Sequence, residues 1–269
     1  MKRLILFRFH KDPVVSKNRL ELLKAFNPGT DILGLYGGEE RDFQNITNPL
    51  SQYLSHVYCI SGKNAEWKWK YSDLAIKLWY EGYGHRLSFD MLHIIEWDLL
   101  LFSSISQLYG HIPKNGVGFT ALTPLENVQS RWYWTSQEPQ RSEWSELLEL
   151  VGQKFQYYQK PYASLGPGTC LPREFLEKYA SIDIPQLCND ELRFPLLAQI
   201  LGFRLYDTGF YRKWFDEEEM KVFNCEDQEI KTSVIREELS KPSGRRIFHP
   251  YKGVFMLDKL PLSPGQSSG

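Results

Sequence analysis

The chain has 269 residues, is 42% hydrophobic and 14% aromatic, and carries a formal net charge of -1. That is apolar material for one large core, with no electrostatic footprint for nucleic acid. Cys59, Cys170, Cys188 and Cys225 are scattered, with neither a CxxC pair nor histidines at zinc spacing, which favours a reducing compartment.

Residues 1–8 begin like a signal peptide, but Arg8 and His10 interrupt the apolar run early. No stretch approaches the ~20 apolar residues of a membrane-spanning helix. The expectation is a cytoplasmic protein, with peripheral contact to a membrane surface left open. Residues 4–9 read as a buried strand. Asp12-Pro13 then opens a helix, with proline in the first turn, where its missing N–H costs nothing. Val15, Leu22, Leu23 and Phe26 share one face, and Asn27-Pro28-Gly29 stops it. Residues 31–36 are a second strand, closed by Gly37-Gly38. The chain thus opens β-α-β, a parallel pair with a right-handed crossover. Residues 39–53 are polar and loop-like, and residues 56–60 are a third strand. Tyr71, Leu74, Ala75, Leu78 and Trp79 recur at helical spacing until Gly82 and Gly84.

His93-Ile94-Ile95-Glu96-Trp97-Asp98, followed by Leu99-Leu100-Leu101-Phe102, reads as a buried strand ending in two acids one residue apart. Ligands of open α/β sheets bind beyond the carboxyl ends of strands. Glu96 and Asp98 therefore sit where a sheet presents a metal or a phosphate, and their oxygens suit Mg²⁺ or Mn²⁺ holding a diphosphate. The plainer alternative is that Glu96 caps a strand end and Asp98 begins a turn.

Residues 115–120 are a further strand, and Trp132 and Trp134 flank Tyr133 in a short strand or aromatic wall. Trp144, Leu147, Leu148, Val151 and Phe155 mark a helix with Ser142 as N-cap. Gly166-Pro167-Gly168 forces a turn, and residues 172–179 are a short helix. Leu196, Leu197, Ile200 and Leu201 mark the next helix, whose regular part starts near Arg193 because of Pro195. Residues 203–206 are a last core strand. From Trp214 the chain turns polar, and residues 214–258 are expected to pack over the preceding unit. The expected class is α/β, a mostly parallel sheet flanked by helices, in one domain over residues 1–258, with residues 259–269 disordered.

Four pieces occur in an order that resembles the GT-A family of nucleotide-sugar glycosyltransferases. They are Ile94-Ile95-Glu96-Trp97-Asp98; Gly166-Pro167-Gly168 followed by Arg173; Asp190-Glu191 followed by Gly202-Phe203-Arg204; and Phe248-His249-Pro250-Tyr251-Lys252-Gly253. The resemblance covers residues 4–210 and that later segment. It implies a GT-A-like, Rossmann-like fold with the nucleotide across the first strands. It also implies a DxD motif at Glu96 and Asp98, a loop under the donor sugar at residues 166–168, paired acids at Asp190 and Glu191, and a metal-binding His249. The implied reaction moves a sugar from a nucleotide-diphosphate donor to a hydroxyl of a saccharide or other acceptor, by inversion and with a divalent metal. Two departures from the pattern are a glutamate in place of the first Asp and an acid pair in the order Asp-Glu rather than Glu-Asp.

On this resemblance Asp98 is the direct metal ligand, Glu96 assists, and the imidazole of His249 suits Mn²⁺ better than Mg²⁺. Lys252 or Arg245-Arg246 would pair with the diphosphate. Glu191, eleven residues before Gly202, is the expected base, and Asp190 is expected to cap the helix. His10, Lys11, Gly37, Glu39, Lys70 and Asp73 are candidates for the nucleotide, each also readable as ordinary surface loop. Trp132 or Trp134 would serve the acceptor. A sugar nucleotidyltransferase is a rival reading, although Phe9-His10-Lys11-Asp12-Pro13 lacks that class's Gly-rich basic loop. A non-catalytic glycosyltransferase-like binding protein is the other.

Overall fold

The computed structural model describes residues 1–226 and 228–256, so the expected disordered tail lies outside the described residues. The strands are β1 (Arg3–Phe9), β2 (Asp31–Tyr36), β3 (Val57–Cys59), β4 (Met91–Glu96), β5 (Leu100–Leu101), β6 (Val117–Pro124), β7 (Tyr162–Pro172), β8 (Leu205–Asp207) and β9 (Ile247–Phe248). Seven form one sheet in the order β3-β2-β1-β4-β7-β6-β8. Only β7 runs against its neighbours, so the sheet is mostly parallel, as expected. The acid-bearing β4 is central, with Glu96 paired to Arg8 of β1.

Alternation along β1 explains the layers. Ile5, Phe7 and Phe9 pack on one face with Val15, Leu20 and Leu23 of the helix Pro13–Phe26. Leu4 and Leu6 pack on the other with Leu74, Ala75 and Trp79 of the helix Ser72–Gly82 and Phe175 of the helix Arg173–Ser181. A strand buried on both faces reads as a continuous apolar run, as this one does. The first helix is capped by Asp12, whose Oδ1 accepts from the amides of Val14 at 3.2 Å and Val15 at 3.0 Å.

Several local expectations are corrected. Residues 39–53 contain the short helix Phe43–Thr47 between two tighter turns. Trp132 leads into a one-turn helix, Tyr133–Ser136, not a strand. The helix Gln140–Phe155 starts before Ser142, whose hydroxyl donates to Glu138 at 2.7 Å instead of capping. Gly166-Pro167-Gly168 lies within β7, and the pairing with β6 is irregular there. The helix Asp190–Ile200 runs through Pro195. Proline leaves the carbonyl four residues earlier without its helical donor. That carbonyl belongs to Glu191, and the Ser164 hydroxyl donates to it at 3.0 Å.

The C-terminal segment returns to the sheet's centre. β9 pairs with β5, just past β4, and Phe248, Tyr251 and Phe255 pack with Leu22, Leu100 and Phe102. Among the described residues, no helix is long and apolar enough to cross a membrane.

Candidate active site

A cleft of about 980 Å³ opens beyond the carboxyl ends of β1, β2 and β4. Its lining includes Asp98, Glu96 and His249 as well as Asp190 and Glu191.

Asp98 lies two residues past the end of β4. The ladder continues briefly, since the Trp97 amide donates to the Arg8 carbonyl at 2.9 Å. The pairing of Leu100 with Phe248 then delivers His249, 151 positions away in sequence, to this spot. His249 Nε2 stands 3.5 Å from Asp98 Oδ1, and His249 Nδ1 lies 2.6 Å from the Asn224 carbonyl oxygen. A carbonyl only accepts, so we assign the proton to Nδ1, which aims Nε2 at the carboxylate. Burial opposes the charge on Asp98, yet the adjacent His249 holds its carboxyl below the usual range. Burial likewise opposes protonation of His249, and Asp98 outweighs it, raising the imidazole pKa.

Among the described residues, no group of three or more His, Cys, Asp or Glu converges as a metal cage. Asp98 and His249 nevertheless suit a metal shared with a substrate. A cation bound to phosphates takes only one or two protein groups, and a carboxylate facing an imidazole nitrogen at 3.5 Å provides two.

Glu96 does not offer the free carboxylate expected of a metal-assisting group. Its Oε1 is 3.3 Å from Arg8 Nη1, and its Oε2 accepts from the Gly168 amide at 3.2 Å. Burial pushes its pKa up to about 7, against the pull of Arg8.

Glu191 is held on both oxygens. Oε1 accepts from the Gly166 amide at 2.9 Å, and Oε2 from Trp134 Nε1 at 2.9 Å and Asn189 Nδ2 at 3.3 Å. Burial, with Asp190 adding its charge, pushes Glu191 up to about 7. Asp190 accepts from the Ser72 hydroxyl and does not cap the helix, because Asn189 occupies the N-cap position. Its pKa is raised by burial and by nearby Asp73. β7 thus serves both acids, with Gly166 donating to Glu191 and Gly168 to Glu96. Gly168 has φ +83°, and a Cβ there would lie 2.6 Å from the Phe210 ring, so the position requires glycine.

In solved structures, this chain is similar to the galactosyltransferase LgtC. A crystal structure of LgtC with donor and acceptor sugar analogs aligns at 14% identity and a TM-score of 0.39, covering 77% of this chain and 74% of that one. An active-site mutant of LgtC aligns at 14% identity and 0.41, covering 77% and 73%. No protein-family model matches the sequence, and no curated protein matches it.

The nucleotide candidates divide. His10, Lys11, Gly37, Lys70 and Lys252 line the cleft. His10 lies edge-on to Trp97 at 5.3 Å, and burial and then Lys11 push its pKa down to about 4. Lys70 is engaged by Glu143 at 3.0 Å. Asp73 lies outside the lining, fully buried in an ion pair with Arg193. Glu39 lies outside the lining and accepts from the Ala65 amide at 3.0 Å. Arg245 pairs with Glu219, and Arg246 donates to the carbonyls of Glu238 and Gly244, so neither is aimed at a diphosphate. Arg173 likewise turns away, toward Glu177 and the His85 carbonyl.

Sequence reasoning missed Arg8, Lys68, Trp69 and Cys225, all in the lining. Arg8 carried a signal: a charge within an apolar strand needs a buried partner. Lys68 donates to the Gly38 carbonyl at 2.8 Å. Nothing in their local sequence marked Lys68, Trp69 or Cys225.

Proposed function

We propose that this chain is a glycosyltransferase that moves a sugar from a nucleotide-diphosphate donor to an acceptor hydroxyl by inversion, from a single unit spanning residues 1–258. The observation that carries the reading is one cleft with the Asp98–His249 pair at the end of the central strand and Glu191 at a helix start. Asp98 and His249 would hold a divalent ion, for which the N/O pair favours Mn²⁺. When bound, that ion supplies Lewis-acid stabilisation of the leaving diphosphate. Lys11 and Lys252, in the same lining, add positive charge for the phosphates.

Glu191 is the base. It takes the proton of the acceptor hydroxyl as that oxygen bonds to the anomeric carbon. The bond from that carbon to the phosphate oxygen breaks, and its electron pair leaves with the diphosphate. A base works best with a pKa near the operating pH, and Glu191 sits at about 7. The Gly166 and Trp134 N–H groups fix its orientation. Arg8 and Glu96 brace the floor between β1 and β4.

A donor screen tests this. UDP-, GDP- and TDP-sugars are incubated with the protein, with Mn²⁺ or with chelator, and released nucleoside diphosphate is read. Release with at least one donor, dependent on Mn²⁺, is expected, and NMR of the product should show the anomeric configuration inverted. Donor binding without release would overturn the enzyme in favour of a binding protein. A retained configuration would remove Glu191 from its role as base.

A further inference from the structure

Two aromatic side chains of the cleft wall, Trp69 and Tyr133, have no part in the chemistry above. Trp69, in the helix Ala65–Lys70, is 65% exposed, and Tyr133 is 53% exposed. Both line the cleft with Trp134, whose ring centroid is 6.2 Å from that of Trp69 and 5.1 Å from that of Tyr133. Large aromatic side chains are usually well buried, so a wall of them open inside a cleft marks a surface for a ligand. Trp134 ties the wall to Glu191 by its indole N–H at 2.9 Å.

We infer that Trp69, Tyr133 and Trp134 form the acceptor subsite, and that the acceptor is a saccharide whose C–H face lies on these rings while a hydroxyl at its edge reaches Glu191. The inference rests on the transfer reading for the fate of that hydroxyl, but not for the binding of the sugar. A pyranose presents weakly positive C–H groups on one face and hydroxyls around its rim. The negative face of an aromatic ring attracts the former, and an adjacent carboxylate accepts from the latter. The wall offers both within one hydrogen bond of each other. An acyl chain suits it poorly. The rings are tilted by 47° and 75° to one another rather than forming a flat apolar trough. Lys70 and Arg131 share the lining, and a hydrocarbon would strip water from them without replacing it.

The full chain, labelled with ¹⁵N, is screened on a printed glycan array, and the saccharides that bind are titrated while its indole N–H signals are followed by NMR. Phosphatidylcholine vesicles form the lipid arm. The expected result is binding of at least one saccharide that shifts the Trp69 and Trp134 indole signals. Trp69→Ala and Tyr133→Ala should each weaken it at least tenfold, with Trp69→Tyr restoring most of the loss and melting temperature reporting the fold. Binding of vesicles and no saccharide overturns the inference, as does saccharide binding insensitive to both alanine variants. The two readings fail separately. Saccharide binding at the wall with no nucleoside diphosphate released from any donor overturns transfer and leaves the wall standing. Turnover indifferent to Trp69 and Tyr133 does the reverse.

Discussion

Asp73 and Asp98 each face a nitrogen cation or potential cation across the fold, and the two pairs are opposites. Asp73 and Arg193 are completely buried. Arg193 Nε donates to Asp73 Oδ2 at 2.6 Å with a second bond to Oδ1, and the Tyr179 hydroxyl donates to the same carboxylate at 2.5 Å. Arg193 also donates to the carbonyls of Leu187 at 2.5 Å and Cys188 at 2.8 Å, which pins the chain leading to Asn189 and Glu191. Asp98 and His249 meet across 3.5 Å beside a cleft. A charge whose partners are all supplied by the protein is a structural part. A carboxylate and an imidazole nitrogen that face each other at 3.5 Å in the lining of a cleft keep capacity for a ligand. The first pair holds the ground on which the proposed base stands, and the second is where chemistry is expected.

The largest expected effect breaks the structural pair. Arg193→Met leaves Asp73 buried without its cation, and removing one partner of a buried pair costs about 3–5 kcal/mol. Urea unfolding should show that loss, with activity falling only as far as the fold does. An Arg193→Met protein of full stability that transfers nothing would erase the contrast between the two pairs.

Next comes the base. Glu191→Gln should lower transfer by ~10²–10⁴, while donor affinity changes little. Glutamine has one acceptor oxygen where Glu191 accepts on both, so melting temperature is measured alongside. Full activity in this variant would end the inverting scheme. Asp190→Asn, by contrast, should act on stability through its bond to Ser72. If it alone abolishes transfer, the roles of the two acids are exchanged.

pH sharpens the comparison further. Glu191 must be ionised to take a proton, so kcat/KM should rise with pH through about 7 and level above it. Stability runs the other way for this group. Its folded pKa of about 7 exceeds the ordinary 4.5, so the folded state holds its proton more tightly. The stabilisation is complete below 4.5 and is lost as pH rises through about 7. Comparing wild type with Glu191→Gln between pH 5 and 8 should isolate a change on the order of 1–3 kcal/mol. An equal pH slope in both proteins would show that Glu191 titrates normally.

The smallest effect is at the strand serving both acids. Gly168→Ala forces a side chain onto a residue with φ +83° and against Phe210, which should cost about 1 kcal/mol or more. Its donor to Glu96 should shift with it, visible as a changed amide signal. An unchanged melting temperature would mean that the bend in β7 is not needed.

The opening β-α-β unit and the central strand were legible because strands buried on both faces read as apolar runs and because proline, glycine and Asp12 punctuate the helix between them. Asp98 was legible from its place after such a run, whereas its partner was named only through the family resemblance. His249 depends on the pairing of β5 with β9, a long-range contact that no local pattern announces. Asp73 misled for the same reason. An acid in the first turn of a helix looks alike whether it faces solvent or a buried arginine 120 positions away. The regularity of the helix ahead of Arg193 was hidden by Pro195, since the compensating Ser164 hydroxyl comes from another element. Trp69 sits in a six-residue helix too short for periodicity to assign it a face.

The most direct measurement is calorimetric titration of UDP and of GDP into wild type and Asp98→Asn, each with Mn²⁺ and with EDTA. If Asp98 and His249 share an ion with the diphosphate, at least one nucleotide binds wild type tightly only with Mn²⁺. Asp98→Asn should then lose that metal-dependent part while keeping its melting temperature. Binding by wild type that is indifferent to Mn²⁺, or a variant that binds the Mn²⁺ complex as well as wild type does, would contradict the assignment of this pair as the metal site.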